Sequence, residues 1–257
     1  PPFNSKGIMN LPGIFFEIHS GLPREGPGDD RSTERAFRLV RRLPKKPEIL
    51  DIGCGPGAQS LALARLSGGR VTAVDNHGSF LDDLRERASR AGLENRTSTV
   101  LASMSDLPFG DSSFDLVWSE GAIYIMGFEN GLRSWRRLLK PGGWMAVSEV
   151  AWLKENPPEE LLDFWQAGYP GIKTIEVDLA VIRDCGYDAH GHFVLPEDSW
   201  WESYYRPLEA KVSRLKDRYR GNAEALEQIE QETAEMDLFR KYSAFYGYVF
   251  FVMKKTG

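Results

Sequence analysis

The chain has 257 residues, 42% of them hydrophobic and 27% charged, and a formal net charge of −5. This is the composition of a globular protein large enough for one α/β domain with insertions. The negative balance opposes phosphate backbones, the two cysteines (Cys54 and Cys185) make neither a disulfide framework nor a metal set, and no apolar run is long enough to span a bilayer. The opening residues Pro1 to Lys6 lack the apolar stretch of a secretory leader, so cytoplasm is the expected compartment.

In chain order, the first thirty residues are rich in Gly and Pro and read as a flap, without periodicity after Phe16. Arg31 to Leu43 reads as a helix, Glu48 to Ile52 as a strand, and Ala58 to Leu66 as an apolar helix broken by Gly68-Gly69. Arg70 to Asp75 is a second strand. Ser79 to Ala91 carries Phe80, Leu84 and Ala88 at helical spacing and is stopped by Gly92. Strands follow at Thr97 to Ala102 and Phe114 to Trp118, then a mainly helical stretch from Ile123 to Leu139 and a strand from Trp144 to Ser148. Such alternation predicts parallel strands joined by crossover helices, with ligands beyond the carboxyl ends of the strands.

After residue 150 the pattern changes. Helices are expected over Pro157 to Ala167, Ile172 to Cys185, Ser199 to Arg218 and Asn222 to Arg240. The runs Tyr187 to Leu195 and Tyr246 to Lys254 are expected to pair antiparallel around the last two helices. The whole is expected to be one domain: a flap over 1–30, a cofactor-binding core over 31–150, and acceptor-side insertions with a closing strand pair over 151–257. The basic runs Arg38 to Lys46 and Arg133 to Lys140 end helices, where cations offset the helix dipole.

The segment Asp51-Ile-Gly-Cys-Gly-Pro-Gly57 follows a strand and opens a helix. Gly53, Gly55 and Gly57 let the backbone turn sharply and approach a ligand where a Cβ would collide. Their spacing is not that of the dinucleotide fingerprint, and no Lys-Ser/Thr follows to make a phosphate-binding loop. Asp51 disfavours a pyrophosphate and suits an amine. Asp75, ending the next strand, suits the two hydroxyls of a ribose.

These residues carry a resemblance. Glu48 to Gly57, Asp75, Leu107-Pro-Phe109, Phe114 to Trp118 and Leu138 to Gly143 resemble successive motifs of class I S-adenosylmethionine-dependent methyltransferases. The subgroup resembled is methyltransferase type 11, typified by ubiquinone and menaquinone biosynthesis enzymes. The resemblance covers about residues 45 to 150. It implies a doubly wound, seven-stranded Rossmann-like sheet with the last strand antiparallel, and S-adenosylmethionine as cofactor, released as S-adenosylhomocysteine. It places Gly53, Cys54, Gly55 and Gly57 against the methionine part, with Asp51 beside them, and Asp75 on the ribose. It also places Asn76, Ser103 and Met104 around the adenine, and Ser119 at the methionine end. The family commonly has an acid where Ser103 stands.

Methyl transfer from a sulfonium needs alignment and exclusion of water more than acid–base groups. Where a base is required, Glu120 and Glu149, following strands four and five, are candidates, with His19 of the flap and Tyr124 beside them. His190 and His192 are expected to share one strand face, without partners for a metal. The aromatic residues Trp152, Trp165, Tyr169, Trp200, Trp201, Tyr204 and Tyr205 are expected to pack as core or to surround a planar or cationic acceptor. The expected function is methyl transfer to a small molecule, at oxygen, nitrogen or carbon; a homodimer is compatible with it. A methyltransferase acting on protein or RNA, or a non-catalytic cofactor-binding protein, is the alternative.

Overall fold

The strands that flank the glycine loop lie in the middle of the sheet. In this computed structural model, which describes residues 13–257, β1 (Glu48–Ile52) pairs in parallel with β2 (Arg70–Asp75) and with β4 (Phe114–Ser119). β3 (Thr97–Leu101) extends the β2 side and β5 (Leu139–Trp152) the β4 side. β8 (Tyr246–Lys255) runs antiparallel between β5 and β7 (Tyr187–Val194), giving the order β3-β2-β1-β4-β5-β8-β7. The expected seven-stranded sheet with an antiparallel last strand is present. A two-residue β6 (Lys173–Thr174) adds to the carboxyl end of β5.

Helices cover both faces. α2 (Asp30–Leu39), α3 (Ala58–Ser67) and α4 (Gly78–Arg90) pack on one face, through residues such as Ala36, Leu63 and Leu84. α5 (Phe128–Trp135) and α7 (Ile175–Asp184) pack on the other through Leu132, Trp135 and Ile182. Ile49, Leu50, Ile52, Leu116, Val117 and Trp118 are all fully buried, which is why β1 and β4 read as nearly unbroken apolar runs. α2 begins where Asp29 accepts from the Ser32 N–H, a cap worth about 1 kcal/mol.

Three expectations are corrected. The flap begins as helix α1 (Gly13–His19), packed on the carboxyl-terminal helices; residues 1–12 of the expected flap lie outside the described residues. The stretch from Ile123 to Leu139 is mainly helical, as expected, with Gly127, at φ 78°, separating a 3-10 turn at Ile123–Ile125 from α5 and a second 3-10 turn at Arg136–Leu138. The expected helix over Ser199 to Arg218 is α8 (Asp198–Trp200), a π-helical turn at Trp201–Tyr205, and α9 (Arg206–Arg218). Pro207 has no N–H to offer the Ser203 carbonyl, and widening the turn accommodates its ring. His190 and His192 do not share a face, because a bulge between Ala189 and Gly191 breaks the alternation. His190 meets Trp144 of one core cluster and His192 meets Phe251 of the other.

α6 (Glu159–Gly168) follows β5, and α10 (Ala223–Tyr242) precedes β8. Together with α1, α8 and α9 they build a second layer over the carboxyl ends of β4 and β5.

Candidate cofactor and acceptor site

The glycine loop holds its shape through its own backbone. The N–H groups of Gly53 and Cys54 both donate to the Val74 carbonyl, at 2.9 and 3.0 Å, and Gly57 N–H donates to the Cys54 carbonyl at 3.0 Å. Gly53 and Gly57 have φ of 71° and 82°, and a Cβ on them would lie 2.5 Å from Ala122 Cβ and 2.2 Å from Leu84 Cδ1. Both positions therefore require glycine twice over, for conformation and for space. Gly57 also opens α3, and no side chain caps that helix, so its first-turn N–H groups face the loop unassisted.

Asp75 closes the same space from β2. Its Oδ2 accepts from Gly55 N–H at 2.9 Å and its Oδ1 from His77 N–H at 2.9 Å. Burial raises its pKa against these bonds. Both oxygens keep a lone pair for a diol, and the carboxylate is already oriented. Asn76 beside it is exposed.

Asp51 is fully buried under the loop, where the Ser60 hydroxyl donates to its Oδ2 and its Oδ1 has no hydrogen-bond partner. Burial pushes its carboxyl up to about 7; the Ser60 bond opposes the rise and the nearby Glu120 charge adds to it. The Cys54 thiol is buried and its pKa is driven well up, first by that burial. Ser119 spends its hydroxyl on the Ile52 carbonyl at 2.9 Å, tying β4 to β1 at the floor of the site. Met104 reaches within 3.4 Å of the Gly53 Cβ position, whereas Ser103 is exposed and bonds to Ser105.

Over the loop runs a strap, residues 20 to 28. Glu25 Cγ lies 3.3 Å from the Gly55 Cβ position. Arg87 of α4 donates to the carbonyls of Leu22 and Pro23, both at 3.0 Å. Arg24 pairs with Glu120 at 2.9 Å and with Asp30 at 2.9 Å. Glu120 is thereby committed: its other oxygen accepts from Thr33 at 2.7 Å and from the Trp118 indole at 2.9 Å. It anchors α2 and the strap to the end of β4, a role different from that expected of a free carboxylate base.

His19 is also committed. It is 1% exposed, with Nδ1 at 3.1 Å from Glu25 and Nε2 at 3.4 Å from Glu232 of α10. Burial alone would lower its pKa, but the hydrogen bonds and charges of Glu232 and Glu25 outweigh it and raise the imidazole to about 9. His19 is therefore a cation at neutral pH, the wrong form for a general base.

Glu149 does not end strand five as expected: it lies within β5, opposite Val249 of β8, and is 2% exposed, with the Tyr169 phenol within hydrogen-bonding reach. Burial, then the Asp178 carboxylate, push its pKa well above the usual range. Tyr124 stands between the halves: its ring meets Tyr169 edge-on at 5.8 Å, and Glu235, Glu149 and Glu232 are its charged neighbours. Most of the aromatic cluster is core, with Trp200 stacked on Phe239 at 4.0 Å and Trp165 edge-on to Tyr246 at 5.1 Å. Among the described residues no group of His, Cys, Asp and Glu could hold a metal, and no helix is long and apolar enough to cross a membrane.

Residues 49–143 match the family model of a methyltransferase domain. Over that stretch the chain carries a methyltransferase domain. The chain is 31% identical, over 140 residues, to the methyltransferase GfsG of Streptomyces halstedii, covering 52% of this chain and 50% of that relative. It thus spans about half of that protein. It is 27% identical over 241 residues to the 27-O-demethylrifamycin SV methyltransferase of Amycolatopsis mediterranei, covering 88% of this chain and 85% of the relative. Its fold is that of a methyltransferase from Geobacter sulfurreducens solved with S-adenosylhomocysteine, at a TM-score of 0.81, 22% identity, and coverage of 96% of this chain and 99% of the other.

Sequence reasoning missed several groups that the fold places at this site. Arg24 and Glu25 are strap residues inside a Gly/Pro-rich stretch, Glu232 and Glu235 look like two more charges on a polar helix, and Asp178 sits on the first turn of α7. The signal available was faint. Glu232 and Glu235 are three residues apart and so share one helix face, but nothing local marks that face as the buried one.

Proposed function

We infer that the chain transfers the methyl group of S-adenosylmethionine to a small molecule held between the glycine loop and the layer formed by α1 and α8–α10. The observation that carries this reading is Asp75, whose two oxygens are pinned by Gly55 and His77 while facing the loop. That is a preformed diol receptor beside a backbone that admits no side chain. Asp51 supports it: a buried carboxylate with one orphaned oxygen suits a cationic amino group. When bound, the cofactor supplies an electrophilic methyl on a sulfonium. In this reading Gly53, Cys54, Gly55 and Gly57 receive its amino-acid part, Asn76, Ser103 and Met104 flank its adenine, and Ser119 shapes the floor. The strap excludes water. The likeness, over 88% of this chain, to a methyltransferase named for a small acceptor favours a small molecule, of aromatic or cationic character given the residues around Tyr124.

Calorimetry with S-adenosylhomocysteine tests the cofactor part. Asp75→Ala should weaken binding by about 1–3 kcal/mol, the worth of charged hydrogen bonds, and unchanged affinity removes the ribose assignment. Incubation with methyl-labelled S-adenosylmethionine and a small-molecule extract, or with protein or RNA, tests the rest. Label is expected in the small molecules; binding without transfer to any fraction would leave a non-catalytic binding protein.

A further inference from the structure

The strap brings a carboxylate to the glycine loop from outside it. Glu25 packs its Cβ and Cγ 3.7 and 3.3 Å from the Gly55 Cβ position, while the N–H of the same glycine donates to Asp75 Oδ2 at 2.9 Å. Two acids, one from the strap and one from β2, thus meet at Gly55. Asp51 lies beneath the same loop, and its Oδ1 has no hydrogen-bond partner among the described residues.

Glu25 is not free to swing. Its Oε2 pairs with His19 Nδ1 at 3.1 Å, and Nε2 of that ring lies 3.4 Å from Glu232 of α10. Arg24, the residue before it, is held by Glu120 and Asp30, and Arg87 holds the carbonyls of Leu22 and Pro23. At the far end of the strap, Gly28 N–H donates to the Ser199 carbonyl at 3.0 Å. At the near end, Lys211 donates to the carbonyl and the hydroxyl of Ser20. A carboxylate is planar, so fastening one oxygen and the backbone around it fixes the other oxygen too.

That other oxygen, Oε1, is buried and has no hydrogen-bond partner among the described residues. An acid that served only to fasten His19 would do better with its second oxygen in water, because a buried acceptor left unpaired loses its hydration for nothing in return. Burial raises the Glu25 pKa against the bond to His19 and the His19 and Lys211 cations, with Asp75 adding to the rise. A cation brought to Oε1 counters that rise. The glycine loop is where the amino-acid end of the cofactor belongs, and at neutral pH that end carries an ammonium with three N–H donors. The open oxygen of Asp51 accounts for one of them. The ribose is a poorer match for Glu25, because Asp75 already presents two oriented acceptors to a diol.

We propose that Glu25 is a cofactor-binding residue whose Oε1 accepts a hydrogen bond from the cofactor's ammonium group over the glycine loop. This rests on the methyltransferase reading above. The strap then does more than exclude water: it closes on the amino-acid end of the donor, and His19, fixed between Glu25 and Glu232, aims the carboxylate.

The test separates the two readings. S-adenosylhomocysteine is titrated into the full chain first, by calorimetry; failure to bind removes the cofactor reading and this assignment with it. The second probe is 5′-methylthioadenosine, which keeps the adenosine and the thioether but lacks the amino-acid end; it is read by displacement of S-adenosylhomocysteine where its own heat is small. Glu25→Gln keeps the size of the side chain and a hydrogen bond to His19 but loses the charge. It should weaken S-adenosylhomocysteine about tenfold or more, the worth of a charged hydrogen bond, and 5′-methylthioadenosine less than about twofold. Glu25→Ala is read in the same way should the first variant unfold. Equal weakening of both ligands would assign Glu25 to the strap or the ribose alone and overturn the proposal. Unchanged affinity for both overturns it as well, and either result leaves the cofactor site standing.

Discussion

The two halves of the site solve opposite problems. Around the cofactor loop, backbone N–H groups are paired within a few residues or with the adjacent strand, and the polar side chain at the rim, Asp75, is already held at both oxygens. In the layer above it, the Tyr204 and Tyr248 hydroxyls are buried with no hydrogen-bond partner among the described residues, and pairs such as His19 with Glu232 join distant parts of the chain. One half is rigid before anything binds. The other stores unsatisfied polarity, a state that costs stability unless a ligand relieves it.

Substitutions can break that contrast, beginning with the largest effect. Gly57→Val should destabilise the fold by on the order of 3–4 kcal/mol, combining a left-handed backbone with overpacking against Leu84. Urea unfolding reads that loss directly, and wild-type stability would mean the loop is softer than its geometry. His19 comes next. Its pKa is raised from 6.5 to about 9, so its contribution is complete below about pH 6.5 and is lost as pH rises through about 9. The groups facing it are Glu25, Glu232 and the rings of Phe15 and Tyr204. Melting temperature followed across that window should fall by the equivalent of on the order of 3 kcal/mol, and His19→Gln should flatten the fall.

Paired phenol substitutions sharpen the contrast within the acceptor half. Tyr205→Phe strips Glu235 of a donor and should cost about 1–3 kcal/mol in unfolding experiments. Tyr248→Phe removes an orphaned hydroxyl, so its stability should be unchanged or higher by up to about 1 kcal/mol, while turnover falls. If both behave alike, the distinction between paired and waiting phenols fails. The smallest effect is expected at the surface, where Arg90→Ala breaks an exposed pair with Glu86 and should shift stability by less than about 0.5 kcal/mol.

The same contrast decides what could be read from the chain. The positions of Gly53, Gly57 and Asp75 are dictated by neighbours on one strand–loop–helix unit, so spacing alone exposes them. The parallel, doubly wound sheet and the antiparallel closing pair of β7 and β8 were legible too, because alternation of strand and helix leaves few topologies. Nothing local joins Arg24 to Glu120 across 96 positions, or His19 to Glu232 across 213. Glu120 and His19 looked like available bases because each was seen without the partner that occupies it. The π-helical turn at Trp201–Tyr205 was hidden for a related reason: Pro207 signals an interruption, but whether the helix kinks, stops or widens depends on what packs inside it.

The excursion between β7 and β8 departs and returns at one place in the sheet. Leu195, just past β7, donates its N–H to the Tyr248 carbonyl at 2.8 Å, so the point of exit is stitched to the point of re-entry. A chain clamped at both feet in this way can lengthen, shorten or be exchanged with little entropic consequence, about 0.6 kcal/mol for each doubling of a flexible loop. Changes of length or sequence in α8, α9 and α10 are thereby uncoupled from the strands that carry the glycine loop, because both ends of the excursion are fixed to the sheet independently of what lies between them.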